Sequence, residues 1–354
     1  MDSHILDLLT LALTPSLGAR RVASLVRADG VEELCRHPSR FAHLLPPSAL
    51  EELNNGSARR RAESVFKDAT RLSQRVVALG SPEYPAALAA LYDPPPVLFV
   101  RGSLASGRRR VAIVGARGAT PGGRTMAQDL ARGLARSDIE IVSGLARGID
   151  GAAHEGALSG GGMTVAVLGS SIDIVYPPEH ASLAKRVSER GAVVSEHPPG
   201  TPPAASQFPT RNRIIVGMSE AVIVVEAGSR SGALITARVG LEEGRDVLAV
   251  PGRPADPLSF GPNLLIRDGA PLVRGIDDVL EHLGLLPAQG CQAPAAAKDP
   301  VLVELEKSGV RSIDQLIADT GLDTSRLMVR LSELELEGRV ERLPGTLFRS
   351  ATPA

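Results

Sequence analysis

The residues best suited to chemistry in this sequence are glycines, serines and arginines in loops that follow short β-branched runs. Small residues let backbone amides approach an anion closely, and a helix that begins after the loop directs the positive end of its dipole at the same point. Six such loops predict an extended phosphate-binding groove. They are GARGATPGGR at 115–124, SGLARGID at 143–150, GSSIDIVYPPEH at 169–180, FPTRNR at 208–213, EAGSRSGALIT at 226–236 and PGRPADPLSFGPN at 251–263.

Arginine and phenylalanine side chains in these loops suggest what the groove binds. Phe208 stands two residues before an arginine–asparagine–arginine run, where a phenyl ring can stack on one base of a single strand while guanidinium groups hold its phosphates. An alternative in which Phe208 plugs the core beside Pro209 fits the sequence equally well. The arginines expected to converge on one rim are Arg117, Arg147, Arg211, Arg213, Arg230 and Arg253.

Several familiar anion and metal sites are excluded by spacing. A dinucleotide site is disfavoured because the first loop has G-x-x-G rather than G-x-G-x-x-G. The candidate strand Ile139–Val142 is followed by Ser143 and Gly144, without the carboxylate that would bind a ribose. No P-loop motif is present, and Lys185 is the only lysine of the predicted α/β region. Asp150 and His154 have helical spacing but lack further metal ligands, so Asp150 is predicted as a helix N-cap. We therefore expect no metal, no cofactor and no catalytic residue.

Alternating strands and helices must position these loops. Nearly continuous apolar runs separated by helical segments indicate strands buried on both faces of a parallel, doubly wound sheet, and ligands bind at the carboxyl ends of such strands. The predicted strands are Val97–Val100, Val111–Val114, Ile139–Val142, Thr164–Leu168, Ala192–Ser195, Ala221–Val225, Asp246–Val250 and the short segment Leu272–Val273.

Two smaller modules flank this predicted α/β domain at 77–286. Residues 1–76 read as short helices of a SAM-like domain, in which TPSLGARRVASLV at 14–26 resembles a helix-hairpin-helix turn with Gly18 facing a phosphate; an ordinary helix–helix turn is the alternative. Residues 287–298 read as a linker. Residues 299–354 predict three helices, Val301–Lys307, Ile313–Asp319 and Thr324–Glu337, and a hairpin, which together make a winged helix.

Composition limits the partners and the location. The 354 residues carry a formal net charge of −1, so a nucleic-acid site must be a local patch rather than a global basic field. Two distant cysteines, Cys35 and Cys291, form no zinc motif and no disulfide framework. Asp2 and Asp7 interrupt the N-terminal apolar run, and no stretch approaches a membrane-spanning length. A cytoplasmic protein without a membrane partner is therefore expected.

The segment from about 79 to 283 resembles the DprA (Smf) family of DNA-processing proteins. The strings that carry the resemblance include VAIVGARGAT, IVSGLARGIDGAAHEGAL, FPTRNRIIVGMS and SGALITA. The resemblance implies an extended Rossmann fold, single-stranded-DNA binding, a homodimer and hand-over of DNA to the recombinase RecA during natural transformation. Single-strand-binding protein is a further candidate partner.

The same resemblance implies particular site residues. In place of the serine that often precedes the first-loop arginine in the family, this chain has Ala116, and where some members have a lysine near the phenylalanine it has Ser206, Gln207 and Arg211. The implied residues are Gly115, Arg117, Gly118, Ser143, Gly144, Phe208, Arg211, Asn212 and Arg213. The predicted DNA-binding set is completed by Arg147, Ser170, Ser231, Gly232 and Thr236.

Two other functions compete with this interpretation. EAGSRSGALIT resembles a loop of nucleotide phosphoribohydrolases on a similar fold. Glu242 and Glu243, however, lie more than two turns along the predicted helix ALITARVGLEEG that begins at Ala233, and Glu226 stands before the glycine-rich part of the loop, where it could orient arginines. Release of base from a nucleoside monophosphate would identify such an enzyme. A transcription factor acting through the winged helix is disfavoured because the predicted recognition helix carries more acidic than basic side chains.

Overall fold

A computed structural model describes residues 3–28, 30–105, 107–285, 299–336 and 339–350. The chain divides into two compact units, Met1–Leu286 and Pro287–Ala354. The predicted linker at 287–298, and Cys291 within it, lie outside the described residues.

The first unit is built on an eight-stranded sheet. In space the strands follow the order β1-β2-β6-β5-β4-β3-β7-β8, so the direction of winding changes at β3. The strands are β1 (Arg75–Ala78), β2 (Val97–Gly102), β3 (Arg110–Val114), β4 (Glu140–Ser143), β5 (Thr164–Val167), β6 (Ala192–Ser195), β7 (Ala221–Val224) and β8 (Asp246–Ala249).

The prediction of a wholly parallel sheet was wrong at one edge. The six strands from β6 to β8 are parallel to their neighbours, but β2 pairs antiparallel with both β6 and β1. The sequence analysis missed β1 because its four residues directly follow a helical pattern. Leu272 forms only an isolated bridge with Ala249 rather than a strand. The fold is thus α/β with a mixed central sheet.

Thirteen α-helices of the described part of this unit connect and cover the strands. They are α1 (Ser3–Ala12), α2 (Ala19–Arg27), α3 (Val31–Arg36), α4 (Pro47–Asn54), α5 (Ser57–Arg71), α6 (Ala86–Ala89), α7 (Pro121–Arg136), α8 (Ile149–Ser159), α9 (Ala181–Arg190), α10 (Gln207–Gly217), α11 (Gly232–Glu242), α12 (Phe260–Arg267) and α13 (Ile276–His282).

Alternate side chains of the central strands feed two separate hydrophobic cores. In β3, Val111 and Ile113 belong to the core beneath α7, α8 and α13, whereas Ala112 and Val114 belong to the core on the opposite face. This alternation follows from the two-residue period of a strand and explains why all four residues from Val111 to Val114 are apolar. Buried layers on both faces fix the strand ends from which the candidate site is built.

The N-terminal helices share the second of these cores. Leu8 and Leu9 of α1 are fully buried in the same cluster as Phe99 of β2. The domain boundary predicted between residues 76 and 77 falls inside β1, and that strand pairs with β2. Helices and sheet are therefore parts of one compact unit.

The second unit has the three helices and the hairpin expected of a winged helix. Its elements are α14 (Pro300–Ser308), β9 (Arg311–Ser312), α15 (Ile313–Thr320), α16 (Thr324–Leu336), β10 (Val340–Leu343) and β11 (Leu347–Ser350). The sequence analysis missed β9, a two-residue strand that pairs with β11. A separate core that includes Leu305, Leu316, Leu331 and Phe348 holds these elements together.

Candidate nucleic-acid interface

The loop after β3 is held in place by Glu226, which follows β7. The Ala116 amide donates a 2.6 Å hydrogen bond to the Glu226 carbonyl oxygen. The Glu226 carboxylate accepts a 2.9 Å bond from the Thr120 amide and a 2.5 Å bond from the Thr120 hydroxyl. Thr120 in turn caps α7 by accepting from the Gly123 amide. A buried carboxylate therefore occupies the start of α7, where a Rossmann protein commonly binds phosphate.

The role suggested for Glu226 from the sequence, orienting arginines, is replaced by this one. The carboxylate contacts Thr120 rather than a guanidinium, and Glu226 is only 9% exposed. A Cβ atom on Gly123 would lie 2.2 Å from its Cδ atom, so a larger residue there would displace the Glu226 carboxylate from its present position. Glu226 thus fixes the conformation of the first loop and is not placed to attack a ribosyl bond.

Arg211 lies beneath the groove rather than on its rim. Its guanidinium donates a 2.7 Å hydrogen bond to the Gly144 carbonyl after β4 and a second bond to the Val167 carbonyl of β5. Burial lowers the pKa of Arg211 to about 10, although the nearby Asp150 carboxylate favours its charged form. Arg211 therefore ties two strand ends together through Nη1, while its Nε donates a 3.3 Å hydrogen bond to the Asn212 side chain.

Asp150 and His154 on α8 are buried structural groups. Gly148, not Asp150, is the N-cap of α8, so the predicted capping role was wrong; Asp150 lies in the first helical turn, and Ala146 donates a 3.4 Å backbone hydrogen bond to it. His154 Nδ1 lies 2.7 Å from the Thr164 hydroxyl. Burial lowers the pKa of His154 to about 3, so its imidazole is neutral.

Arg117 and Phe208 lie in contact at the edge of the site. The Arg117 guanidinium carbon lies 5.0 Å from the centre of the Phe208 ring, within cation–π range, and Arg117 is exposed. On the other side, the Tyr176 ring lies 5.8 Å from Phe208 at an interplanar angle of 48°. Phe208 is half-buried. Its exposure is therefore intermediate between that of a side chain packed in the core and that of a fully exposed ring free to stack on a base, the two alternatives that the sequence left open.

The start of α11 offers backbone donors to the same groove. Ser231 caps the helix by accepting a 3.2 Å hydrogen bond from the Ala233 amide, and the first turn carries no acidic residue. Exposed Arg230 and Gly232 flank this cap. Unlike α7, whose start is occupied by Glu226, α11 directs the positive end of its dipole into an open space.

These features line one open groove of about 960 Å³ at the carboxyl ends of β3 and β7, beside the point where the winding of the sheet reverses. A smaller adjoining pocket joins Arg117 and Phe208 to Gly144 and Arg147. The predicted residues that line the larger groove are Gly115, Arg117, Gly118, Phe208, Arg211, Asn212, Ser231, Gly232 and Thr236.

Three residues of the predicted set line neither space. The buried Ser143 and Ser170 hydroxyls donate to the carbonyls of Ile113 and Ile174, at 2.6 and 2.7 Å respectively. Arg213 points to another side of α10, where it pairs with Glu196 and lies 3.5 Å from Asp93. Arg147 reaches the smaller pocket but pairs with Glu179.

The sequence analysis did not select Tyr176, Pro203 or Ile235, which also line the groove. Tyr176 lies in the second half of the loop at 169–180, so its distance from the end of β5 at Val167 hid it. Ile235 has the helical spacing of a core residue, yet it is 44% exposed. For Tyr176 the available signal was an aromatic residue inside a strand-end loop.

The groove is equipped for binding anions and flat rings. Asp150 is the one acidic residue among the described residues that line it, and Asp150 is buried. The described residues contain no cluster of three histidine, cysteine or acidic side chains able to hold a metal ion. None of the helices among them has the length and apolar character needed to cross a bilayer. The groups that the groove offers to a ligand are therefore backbone amides, guanidinium groups and aromatic rings.

An α/β protein with a glycine- and arginine-lined groove at the switch point of its sheet has the architecture of Rossmann-like proteins, which bind their ligands at that point. The profile of the family described as DNA recombination-mediator protein A matches residues 75–284, and that of the DprA winged helix domain matches residues 286–346. The chain belongs to this DprA family, which confirms the resemblance seen in its sequence.

Individual relatives agree with this assignment. Protein Smf of Escherichia coli is 41% identical over 279 residues, which are 75% of each chain. The putative DNA processing protein DprA of Mycobacterium tuberculosis is 43% identical over 244 residues, covering 66% of this chain and 62% of its own. The DNA processing protein DprA of Bacillus subtilis is 43% identical over 209 residues, or 58% of this chain and 70% of its own.

Two solved structures share the fold. DNA processing protein A from Streptococcus pneumoniae superposes with a TM-score of 0.71 at 34% identity, over 79% of this chain and 98% of that one. The Helicobacter pylori protein, whose structure is described as showing a single-stranded DNA binding mode, gives a TM-score of 0.53 at 28% identity, over 59% of this chain and 95% of that one.

Proposed function

We propose that this protein is a cytoplasmic, non-catalytic recombination mediator that binds single-stranded DNA in the groove and loads RecA onto it during natural transformation. The observation that carries the proposal is the exposed Arg117 guanidinium beside the half-buried Phe208 ring, at the edge of an open groove that the start of α11 also lines. The single-strand binding described for the Helicobacter pylori relative supports the same choice of ligand.

In the proposed complex, phosphates lie against Arg117, Arg230 and the amides at the start of α11. One base stacks on the exposed part of the Phe208 or Tyr176 ring. Stacking is tolerant of sequence because every base has a flat face, so the groove is expected to show little sequence preference. A single strand fits this arrangement better than a duplex, because duplex bases are already stacked and cannot reach the rings.

The alternative of a phosphoribohydrolase-like enzyme has no support from the carboxylates. Glu226 is buried against Thr120, and Asp150 is buried beneath the groove, so neither is positioned to attack a bound ribose. Incubating the protein with nucleoside monophosphates tests this directly. Release of free base at a rate that exceeds the protein-free control would revive the enzyme.

Matched titrations test the choice of ligand. Labelled single-stranded and duplex oligonucleotides of equal length are titrated with the full chain, and anisotropy is followed at several salt concentrations. The single strand should bind more tightly, and log K should fall against log salt with a slope of about −0.7 per phosphate neutralised. Equal affinity for the two forms would contradict the proposal.

The hand-over to RecA is tested separately. RecA-dependent strand exchange is measured on DNA precoated with single-strand-binding protein, with and without this chain. Faster exchange in its presence is expected if the protein loads the recombinase. Unchanged exchange together with tight single-strand binding would leave the protein a DNA binder without a loading role.

A further inference from the structure

The turn before α2 and the first residues of that helix form a basic surface separate from the groove. Ser16, Gly18, Arg20, Arg21 and Ser24 line an open cleft of about 510 Å³. Both arginines are exposed, and neither forms an ion pair with a residue that the structure describes. The stretch 14–28 contains no acidic residue, which is a strong local bias in a chain whose net charge is −1.

An exposed aromatic ring adjoins this cleft. The Arg20 guanidinium carbon lies 3.8 Å from the centre of the Tyr92 ring, so the two planar groups are in close contact. Tyr92 is nevertheless 54% exposed, the largest exposed fraction of any aromatic side chain among the described residues. Nucleic-acid bases stack on both tyrosine rings and guanidinium planes, so this pair offers a platform beside free positive charge.

Contacts on both sides fix the Tyr92 segment between α2 and the groove helix α10. Arg27 of α2 donates a 2.9 Å hydrogen bond to the Leu91 carbonyl. The Asp93 carboxylate lies 3.5 Å from Nε of Arg213, which follows the groove residue Asn212. The same helix that carries Phe208 therefore also supports the platform, through one ion pair.

We propose that Arg20, Arg21 and Tyr92 form a second contact for single-stranded DNA, which engages a strand that extends beyond the groove. The proposal rests on the proposed function of the groove. Two unpaired guanidinium groups suit two phosphates, and the exposed ring suits one base, whereas an acidic peptide would use the charges but leave the ring without a specific partner. The second contact increases affinity only when one strand spans both surfaces, because the first contact raises the effective concentration at the second.

The test compares oligo(dT) of about 6 nucleotides, which fills the groove alone, with oligo(dT) of about 20 nucleotides, which extends past it. Full-length wild type, R20A/R21A and Tyr92→Leu are titrated with both lengths at several salt concentrations. R60A/K67A removes the same charge from exposed positions of α5 and serves as the matched control. Thermal unfolding of every variant verifies that it is folded.

R20A/R21A should weaken binding of the longer oligonucleotide about tenfold and reduce its salt slope by about 1.4, the value for two phosphate contacts. Tyr92→Leu should weaken the same complex by roughly 5- to 100-fold without changing the salt slope. Binding of the shorter oligonucleotide should change less than about twofold, and R60A/K67A should match wild type with both lengths.

Wild-type affinity for the longer strand in R20A/R21A would overturn the second contact and favour an acidic protein segment as the occupant of the cleft. Equal losses for both lengths in a folded variant would also overturn it, because the cleft would then belong to the primary site. If the groove proposal itself fails, the result is distinguishable from these two, because the wild-type protein would then bind neither oligonucleotide length. Arg117→Ala, measured alongside, should lose affinity for both.

Discussion

Arg117 and Arg211, which look equivalent in the sequence, differ in their exposure to solvent and therefore in their expected roles. Arg117 is exposed against a ring, whereas Arg211 is buried and bonded to two carbonyls. Arg117→Ala should therefore lose about 1–3 kcal/mol of single-strand binding while its melting temperature stays near wild type. Arg211→Ala should lower the free energy of unfolding by about 2–4 kcal/mol, because it leaves two buried carbonyls without donors. Anisotropy titration and denaturant unfolding of both variants distinguish these roles; an Arg211→Ala variant of wild-type stability would contradict the assignment.

Glu226 permits a second prediction about single residues. Glu226→Ala removes the acceptor of the Thr120 amide and hydroxyl, so it should cost about 1–3 kcal/mol of stability and also weaken single-strand binding, since the Arg117 loop loses its support. Glu226→Gln keeps one acceptor and should fall between Ala and wild type in both measurements. If Glu226→Ala instead strengthens binding, the carboxylate acts chiefly by repelling phosphate rather than by positioning the loop.

Residue types predicted which loops line the groove but not the direction of each side chain. Glycine and arginine after each strand located the groove, because strand order in a parallel sheet brings those loops to one edge. The separate roles of Arg211 and Arg213 depend on which side of α10 each occupies and on distant partners such as Gly144 and Glu196. Such partners lie tens of residues away and leave no local pattern.

At the scale of elements, α8 makes stability depend on pH through His154. Its pKa is about 3 in the folded chain against an ordinary value of 6.5, so the unfolded chain binds an additional proton between these values. Stability is therefore fully present above pH 6.5 and falls as the pH drops towards 3, by at most about 1.4 kcal/mol per pH unit. His154→Asn, which retains a polar partner for Thr164, should flatten this slope in urea unfolding measured from pH 7 to pH 4. An unchanged slope would assign the dependence to other groups.

Element prediction succeeded for central strands and failed at short or edge strands. Residues 111–114 of β3 and all of β7 are apolar because both faces are covered, and this pattern is visible without a structure. β1 has four residues and β9 has two. Each is a strand only because it pairs with a neighbour, β2 or β11, and this pairing cannot be read from the local sequence. Antiparallel pairing of β2 was missed for the same reason, because a strand's direction depends on the path of the chain between elements.

At the scale of the whole molecule, assembly remains a prediction of the family resemblance. A groove that holds a few nucleotides gains avidity when a second copy binds the same strand. We propose a homodimer through the α/β domain, and light scattering should then report about twice the chain mass of 37.0 kDa. A monomer at micromolar concentration that still binds DNA tightly would refute the dimer. The measurement is best repeated with Arg117→Ala, which should lose DNA binding and remain dimeric.

The C-terminal unit is expected to add little to DNA binding, because most of the basic side chains that the structure describes there are paired with acidic ones. On α16, Arg330 pairs with Asp299 and Glu333, and Arg326 lies 3.4 Å from Asp323. In the wing, Arg349 pairs with Glu341 at 2.7 Å. These pairs reduce the positive field that a phosphate would meet. Arg342 of the wing is exposed without an ion pair to a described residue, and its guanidinium carbon lies 5.9 Å from the centre of the Phe348 ring.

Removing the C-terminal unit therefore tests where the primary site lies. A chain that ends after Leu286 retains the whole first unit with both of its hydrophobic cores, so it should fold. It should bind single-stranded DNA within about threefold of the full chain, since only a tethered weak contact is lost. It should also stimulate RecA-dependent strand exchange if the α/β domain contacts the recombinase. Circular dichroism, anisotropy and strand exchange are compared for the two lengths. A folded, truncated chain that no longer binds single strands would move the primary site to the winged helix, because every residue of the groove would still be present.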